Sequence, residues 1–197
     1  MKTRHSSSIR IKLEALLVLA VALCARAAGA DEPSVPPKLQ ADLTSKVIAY
    51  VQTPPPRAKD VIRIGILTKP GNADSTHVGS ELKAALDRVD SIAGLPHEQM
   101  IVSFSTTEKL LEEAAQRGLF ALYLTPGLGG DVGAIAHALD GVPLVTVASV
   151  DTYVADGAIL GFEQASGRPR MVFNFTQAKQ QGVTFQSAVM KLMRIVE

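Results

Sequence analysis

Apolar positions along this chain alternate between helical stripes and short β-branched runs. Leu39, Leu43, Val47 and Val51 recur four apart, and Ile48 and Tyr50 widen the stripe, so the spacing predicts a helix over residues 38–51. Thr53-Pro54-Pro55-Pro56 ends it and reads as a rigid connector. A strand is predicted over 61–67, then a helix over 76–89 with Val78, Leu82, Ala85, Leu86 and Val89 inward. The next strand is 100–104. The helix after it starts at Ser105, with Glu108 closing a capping box, and stops at Gly118. A third strand (119–124), a helix (131–139) closed by Gly141, and a fourth strand (142–147) complete the alternation. Strands separated by helices imply a parallel sheet covered on both faces.

The last third changes rhythm. Residues 158–163 and 171–175 are strand-like runs with no helix between them, only the turn chemistry of Ser166-Gly167-Arg168-Pro169. They are expected to pair as an antiparallel hairpin. Phe173 and Phe175 share one face of the second strand, Val172 and Asn174 the other. Gly161 and Gly182 are read as structural glycines. Thr184 then opens a terminal helix with Val189, Leu192, Met193 and Val196 inward, which makes Leu192 a core residue. The expected fold is a single three-layer α/β domain: a mostly parallel sheet, a C-terminal antiparallel hairpin and a terminal helix.

The first 30 residues read as a cleaved export signal. Lys2, Arg4, Arg10 and Lys12 precede an apolar run from Ala15 to Leu23, and Ala28-Gly29-Ala30 offers a cleavage site. That run is shorter than the roughly 20 residues a membrane-spanning helix needs. A proline-rich lead-in, 31–37, is expected to be mobile before a domain over 38–197. The mature chain would have 167 of the 197 residues, enough for one domain. The signal carries five basic residues and one acid, so its loss takes the net charge from +1 to about −3. No basic stripe remains, which argues against nucleic acid as a partner. The single cysteine, Cys24, leaves with the signal, and thiol chemistry leaves with it.

Candidate chemistry is sparse. Ligands collect at the carboxyl ends of parallel strands, where three loops fall: Thr68–Asn72, Thr125–Gly130 and Ala148–Asp151. Lys69, Gly71, Thr125, Gly127, Gly129 and Gly130 are the ligand-binding candidates, since glycines and a following helix start can receive an anion. The loop after Leu124 lacks the lysine and hydroxyl of a nucleotide loop, and Asp131 would repel a phosphate. Turn geometry with an aspartate cap is the competing reading. His77, His97 and His137 lie in different elements without metal-ligand spacing, and no nucleophile elbow occurs. Neither a metal, a cofactor nor an enzymatic activity is expected. Arg168, Arg170 and Lys179 make a cationic rim around the hairpin: either solvated turn charge or a partner contact.

Gly157, Gly161-Phe162, Gly167-Arg168, Phe173-Asn174-Phe175 with Ala178, Gly182-Val183 and the closing run from Lys191 to Val196 match in order and spacing a known signature. Over the last quarter of the chain the sequence resembles the YfiR/HmsC-like family of periplasmic proteins; upstream only the layout matches. The resemblance implies a non-catalytic periplasmic regulator. Such a protein would restrain the periplasmic part of an inner-membrane signalling protein, a diguanylate cyclase or a sensor kinase, and so act on cyclic-di-GMP and biofilm signalling. A homodimer is compatible with it. It also implies that Asn174 is structural, tying its strand to the turn at Gln177-Ala178. Family members that carry cysteines in the mature domain differ here, so redox control does not carry over. The rival readings are a small-ligand binder resembling one lobe of a solute-binding protein, and a structural protein of the envelope.

Overall fold

The computed structural model describes residues 33–52 and 60–196. The expected export signal and the three prolines at 54–56 lie outside these residues. The chain order is α1 (Pro37–Ile48), β1 (Ile62–Thr68), α2 (Ala73–Leu86), β2 (His97–Ser103), α3 (Thr107–Arg117), β3 (Ala121–Leu124), α4 (Gly129–Ala138) and β4 (Val145–Ala148). A 3₁₀ turn (Asp151–Val154) follows, then β5 (Leu160–Ala165), β6 (Arg168–Asn174), α5 (Phe175–Gln180), α6 (Ser187–Met190) and β7 (Arg194–Val196).

The seven strands form one sheet in the order β2-β1-β3-β4-β5-β6-β7. β1 to β5 are parallel, and β5 pairs with β6 antiparallel. The hairpin turns on Ser166 and Gly167, with φ of 52° and 74°, the left-handed pair that a two-residue turn matching strand twist requires. Arg168 and Pro169 are therefore already in β6, not in the turn.

Both faces of the sheet are covered. Ile62, Ile64 and Ile66 of β1 pack toward a cluster containing Ala41 and Val47 of α1 and Val78, Leu82 and Leu86 of α2. Leu67, Leu122 and Leu124 join the opposite cluster with Leu110 of α3, Val132 and Ile135 of α4, and Tyr153. Fully buried strands on both faces explain why β1 and β3 read as continuous apolar runs. α1 is tied down by polar contacts too. The Tyr123 hydroxyl donates to the Gln40 carbonyl at 3.1 Å and bonds the Thr44 hydroxyl at 2.5 Å. Burial pushes the Tyr123 phenol far above its usual range, so it stays a donor.

Four expectations need correction. The end of the lead-in is packed: Val35 is fully buried, and the Gln40 side-chain amide donates to its carbonyl at 2.8 Å. The cap of α3 is Thr106, whose hydroxyl accepts from the Lys109 amide at 3.3 Å, not Ser105. Phe175 begins α5 and is exposed, so it does not share a strand face with Phe173. The terminal helix is replaced by the four-residue α6, a turn and β7, which pairs with β6 in parallel. Leu192 is consequently no core residue and stands 78 % exposed on that turn. The physical reason is the open side of β6, whose unpaired amides and carbonyls gain partners from a strand and none from a helix.

Candidate functional site

The strand order reverses direction between β1 and β3, and the loops after these two strands face one another there. In an open α/β sheet this is the expected ligand crevice. Here the crevice is filled by the protein's own groups. The Lys69 amide donates to the Ser75 hydroxyl at 2.7 Å, and the Thr125 hydroxyl donates to the Leu67 carbonyl at 2.7 Å. Ser75 and Thr125 share a hydrogen bond of 2.6 Å. Because the Thr125 proton is already committed, Ser75 must be the donor of that bond. Both side chains are fully buried, so Thr125 braces the loop and offers nothing to solvent.

Asn72 caps α2 by accepting from the Ser75 amide at 2.8 Å. Its side chain lies over Gly127, where a Cβ would come within 2.5 Å of it at φ 82°, so glycine is required twice over. Gly71 and Gly130 stand in open space. The Leu128 amide, entering α4, donates to the Tyr153 hydroxyl at 3.1 Å. Above the crevice Lys69 Nζ lies 2.6 Å from a carboxylate oxygen of Asp131 and 5.3 Å from the centre of the Phe104 ring. Gly129, Gly130 and Asp131 do open a helix beside this lysine, as an anion site would. The cation, however, is neutralised by the carboxylate two residues into that helix.

The third loop is covered as well. Ser149 is buried, donates to the Leu124 carbonyl at 2.8 Å, and its own carbonyl accepts from Gln40 at 3.0 Å. Among the described residues the histidines stay apart: His77 faces Glu81 on α2, His97 reaches the Val89 carbonyl, and His137 faces Asp140.

The other end of the sheet has the opposite character. Asn174 is the joint from which it is built. Its carbonyl oxygen accepts from the Gln177 amide at 2.9 Å and caps α5, while its amide donates to the Val154 carbonyl at 2.9 Å. Gly161 lets the 3₁₀ turn approach β5: a Cβ there would fall 2.2 Å from a Val154 methyl. Gly182, at φ 70°, turns the chain out of α5. The following segment is lashed to the end of α1, with the Gln186 amide donating to the Tyr50 carbonyl at 2.9 Å and the Gln52 amide to the Thr184 carbonyl at 2.8 Å.

Two shallow apolar grooves result. One, of about 340 Å³, lies between α1 and α6 and includes Leu43, Tyr50, Met171, Leu192 and Met193. The second, of about 290 Å³, is walled by Phe173, Phe175, Val183 and Phe185, with Phe173 edge-on to both other rings. Among the described residues, exposed large apolar side chains concentrate on this end, at Tyr50, Phe175, Leu192 and Ile195, with Ile101 on the far edge. Of the expected cationic rim, Arg170 is neutralised by Glu163 at 2.5 Å. Arg168 is exposed at the hairpin tip, and Lys179 borders the second groove. Sequence reasoning missed Tyr50, Phe175, Leu192 and Ile195 as surface groups.

A profile of the YfiR/HmsC-like family matches residues 37–194, from the start of α1 to the first residue of β7. The chain belongs to that family. Membership supports a periplasmic regulatory role in general terms. No curated protein matches the sequence significantly. Among solved structures the fold is similar to a conserved domain protein from Vibrio cholerae O1 biovar eltor, at 15 % identity and TM-score 0.54, covering 82 % of this chain and 60 % of that one. It is also similar to the ABC domain in complex with L-Trp from Streptococcus pneumonia, at 15 % identity and TM-score 0.56, over 82 % and 62 %. The chain thus spans about three-fifths of those chains. At such identity the likeness concerns the fold alone. No helix among the described residues is long and apolar enough to cross a membrane.

Proposed function

We propose that this protein is an exported, non-catalytic regulator that restrains the periplasmic part of an inner-membrane signalling protein, through the apolar C-terminal end of its sheet. The observation that carries this reading is the pair of shallow apolar grooves, one with exposed Tyr50 and Leu192, the other with exposed Phe175, beside exposed Ile195 on β7. Contiguous apolar surface of this kind marks interaction sites. Aromatic and aliphatic side chains at the centre of such a surface give affinity, and cations at its border, Arg168 and Lys179 here, give orientation. A diguanylate cyclase is the partner that family membership favours, with a sensor kinase next, and cyclic-di-GMP and biofilm formation would then be the output.

The reading as a small-ligand binder draws on the likeness in fold to the domain solved in complex with L-Trp. It is opposed by the crevice between β1 and β3, where Thr125 is buried and Lys69 is paired with Asp131. A pull-down with the periplasmic part of an inner-membrane diguanylate cyclase, beside cellular cyclic-di-GMP, separates the readings. Leu192→Glu and Phe175→Glu are expected to lose the complex and release the output while the melting temperature holds. Unchanged capture by both variants would place the contact elsewhere and overturn the proposal.

A further inference from the structure

We propose that Met190 and Met193 form a reversible oxidation site, at which hypochlorous acid turns two thioethers into sulfoxides and makes both apolar grooves polar. The release of a partner that follows rests on the reading of the grooves given above; the oxidation itself does not. The single cysteine, Cys24, lies in the expected export signal, so methionine supplies all the sulfur chemistry of the chain beyond it. Of the five methionines, four follow that signal: Met100, Met171, Met190 and Met193. Three of these line the grooves. Met171 and Met193 belong to the groove beside α1, and Met190 to the groove of phenylalanines.

The four differ in what an oxidant can reach. Met171 on β6 is only 6 % exposed. Met100 on β2 is half-buried, and Nη1 of Arg117 donates to its sulfur at 3.6 Å. That bond occupies a sulfur lone pair and sets a cation in the way of an electrophile. Met190 and Met193 are also half-buried, but among the described residues no donor is paired with either sulfur. The Met193 amide donates to the Met190 carbonyl at 3.2 Å, in a segment anchored to the core by buried Val189. One short turn therefore presents an oxidisable sulfur to each groove.

The reaction is a two-electron oxidation at each sulfur. The sulfur–oxygen bond forms and the oxygen–chlorine bond of hypochlorous acid breaks. Sulfur is oxidised, chlorine leaves as chloride, and the acid's proton passes to water. The thioether is apolar and adapts its shape to a partner, whereas the sulfoxide is polar and chiral. A sulfoxide covered by a partner without a donor loses about tenfold in affinity. Methionine sulfoxide reductases restore the thioether, so the change can be undone.

Peptide mass mapping of the exported protein after graded hypochlorous acid tests the site. Trypsin cuts after Lys191, so the two methionines report in separate peptides. One added oxygen is expected at Met190 and at Met193 before Met100 or Met171, with an unchanged circular-dichroism spectrum. Capture of the periplasmic part of a diguanylate cyclase is expected to fall about tenfold or more. Reductases of both stereospecificities should restore it. The double variant Met190→Leu, Met193→Leu keeps apolar volume, so it should bind like the wild type and ignore the oxidant. Oxygen added first to Met100 or Met171, or spread evenly over the four, overturns the inference whether or not a partner binds. Undiminished capture by protein oxidised at both positions overturns it too. A reduced wild type that captures nothing sinks the contact surface and the release with it, while the map alone still decides the oxidation site.

Discussion

Arg194 on the last strand reaches across β6 and grips Glu163 on β5. Its Nη2 lies 2.8 Å from one carboxylate oxygen of Glu163, and its Nε lies 3.0 Å from both. Arg170 on the intervening strand holds the same carboxylate at 2.5 Å. One acid thus gathers cations from two neighbouring strands and fastens an edge strand of only three residues. The Arg194 guanidinium holds the Glu163 carboxyl below the usual carboxylate range; burial opposes it, and Arg170 adds to the lowering. A forked guanidinium suits this task, since two of its nitrogens, here Nε and Nη2, can address one carboxylate.

Glu163→Gln is expected to cost about 1 kcal/mol, the upper end for partly exposed ion pairs, because two pairs are lost together. The carboxyl is depressed in the folded state, so its contribution is present above the unfolded value of about 4.3 and is lost as pH falls through the folded value. Urea midpoints at neutral and acid pH check this. The gap between wild type and Glu163→Gln should close at the acid end.

Asn174 is a second joint with a sharp signature. It is nearly buried and serves as cap and strut at once, accepting from Gln177 and donating to Val154. Asn174→Ala should cost about 2 kcal/mol, combining a lost cap with a lost bond to the Val154 carbonyl, which keeps only the long bond from the Gly157 amide at 3.4 Å. Asn174→Asp keeps the cap oxygen but turns a carboxylate toward the Val154 carbonyl. It should also destabilise, which thermal melts of both variants would record.

The alternating order of strands and helices was legible from residue 61 onward because burial on both faces gives continuous runs such as Ile64 to Leu67 and Ala121 to Leu124. Asn174 was legible through a polar residue set between aromatic ones. The fate of the crevice was not. Lys69 and Asp131 are 62 positions apart, and only the meeting of β1 with β3 brings them to 2.6 Å. The terminal segment failed for a different reason. Val189, Leu192, Met193 and Val196 fit a helical stripe, but the decisive partner was the open side of β6, a tertiary demand with no local sign. The exposure of Tyr50, Phe175, Leu192 and Ile195 stayed hidden for a similar reason: each had read as part of an apolar stripe or strand face.

The ion pair over the crevice yields a direct test of whether the site is closed by design. Asp131→Asn leaves Lys69 without its carboxylate at the start of α4. The loss of one half-exposed pair should cost no more than about 1 kcal/mol. Isothermal titration with inorganic phosphate should give no heat of binding for the wild type and measurable binding for Asp131→Asn. Strong binding by the wild type would instead favour the ligand-binding reading.

Leu192 distinguishes a core residue from a contact residue. It is 78 % exposed, whereas Leu82 on α2 is fully buried under β1. Leu192→Ala removes methyl groups that already face water, so folding stability should move by no more than about ±0.5 kcal/mol. Leu82→Ala opens a cavity and should cost about 2–5 kcal/mol. Against the roughly 5–15 kcal/mol that holds a typical domain, the second loss is severe and the first invisible. Partner binding should show the reverse order once each variant is measured at a temperature where it is folded. Leu192→Ala should weaken capture of the periplasmic part of the cyclase, and Leu82→Ala should leave it unchanged. Equal losses of stability in the two variants would return Leu192 to the core and remove it from the contact surface.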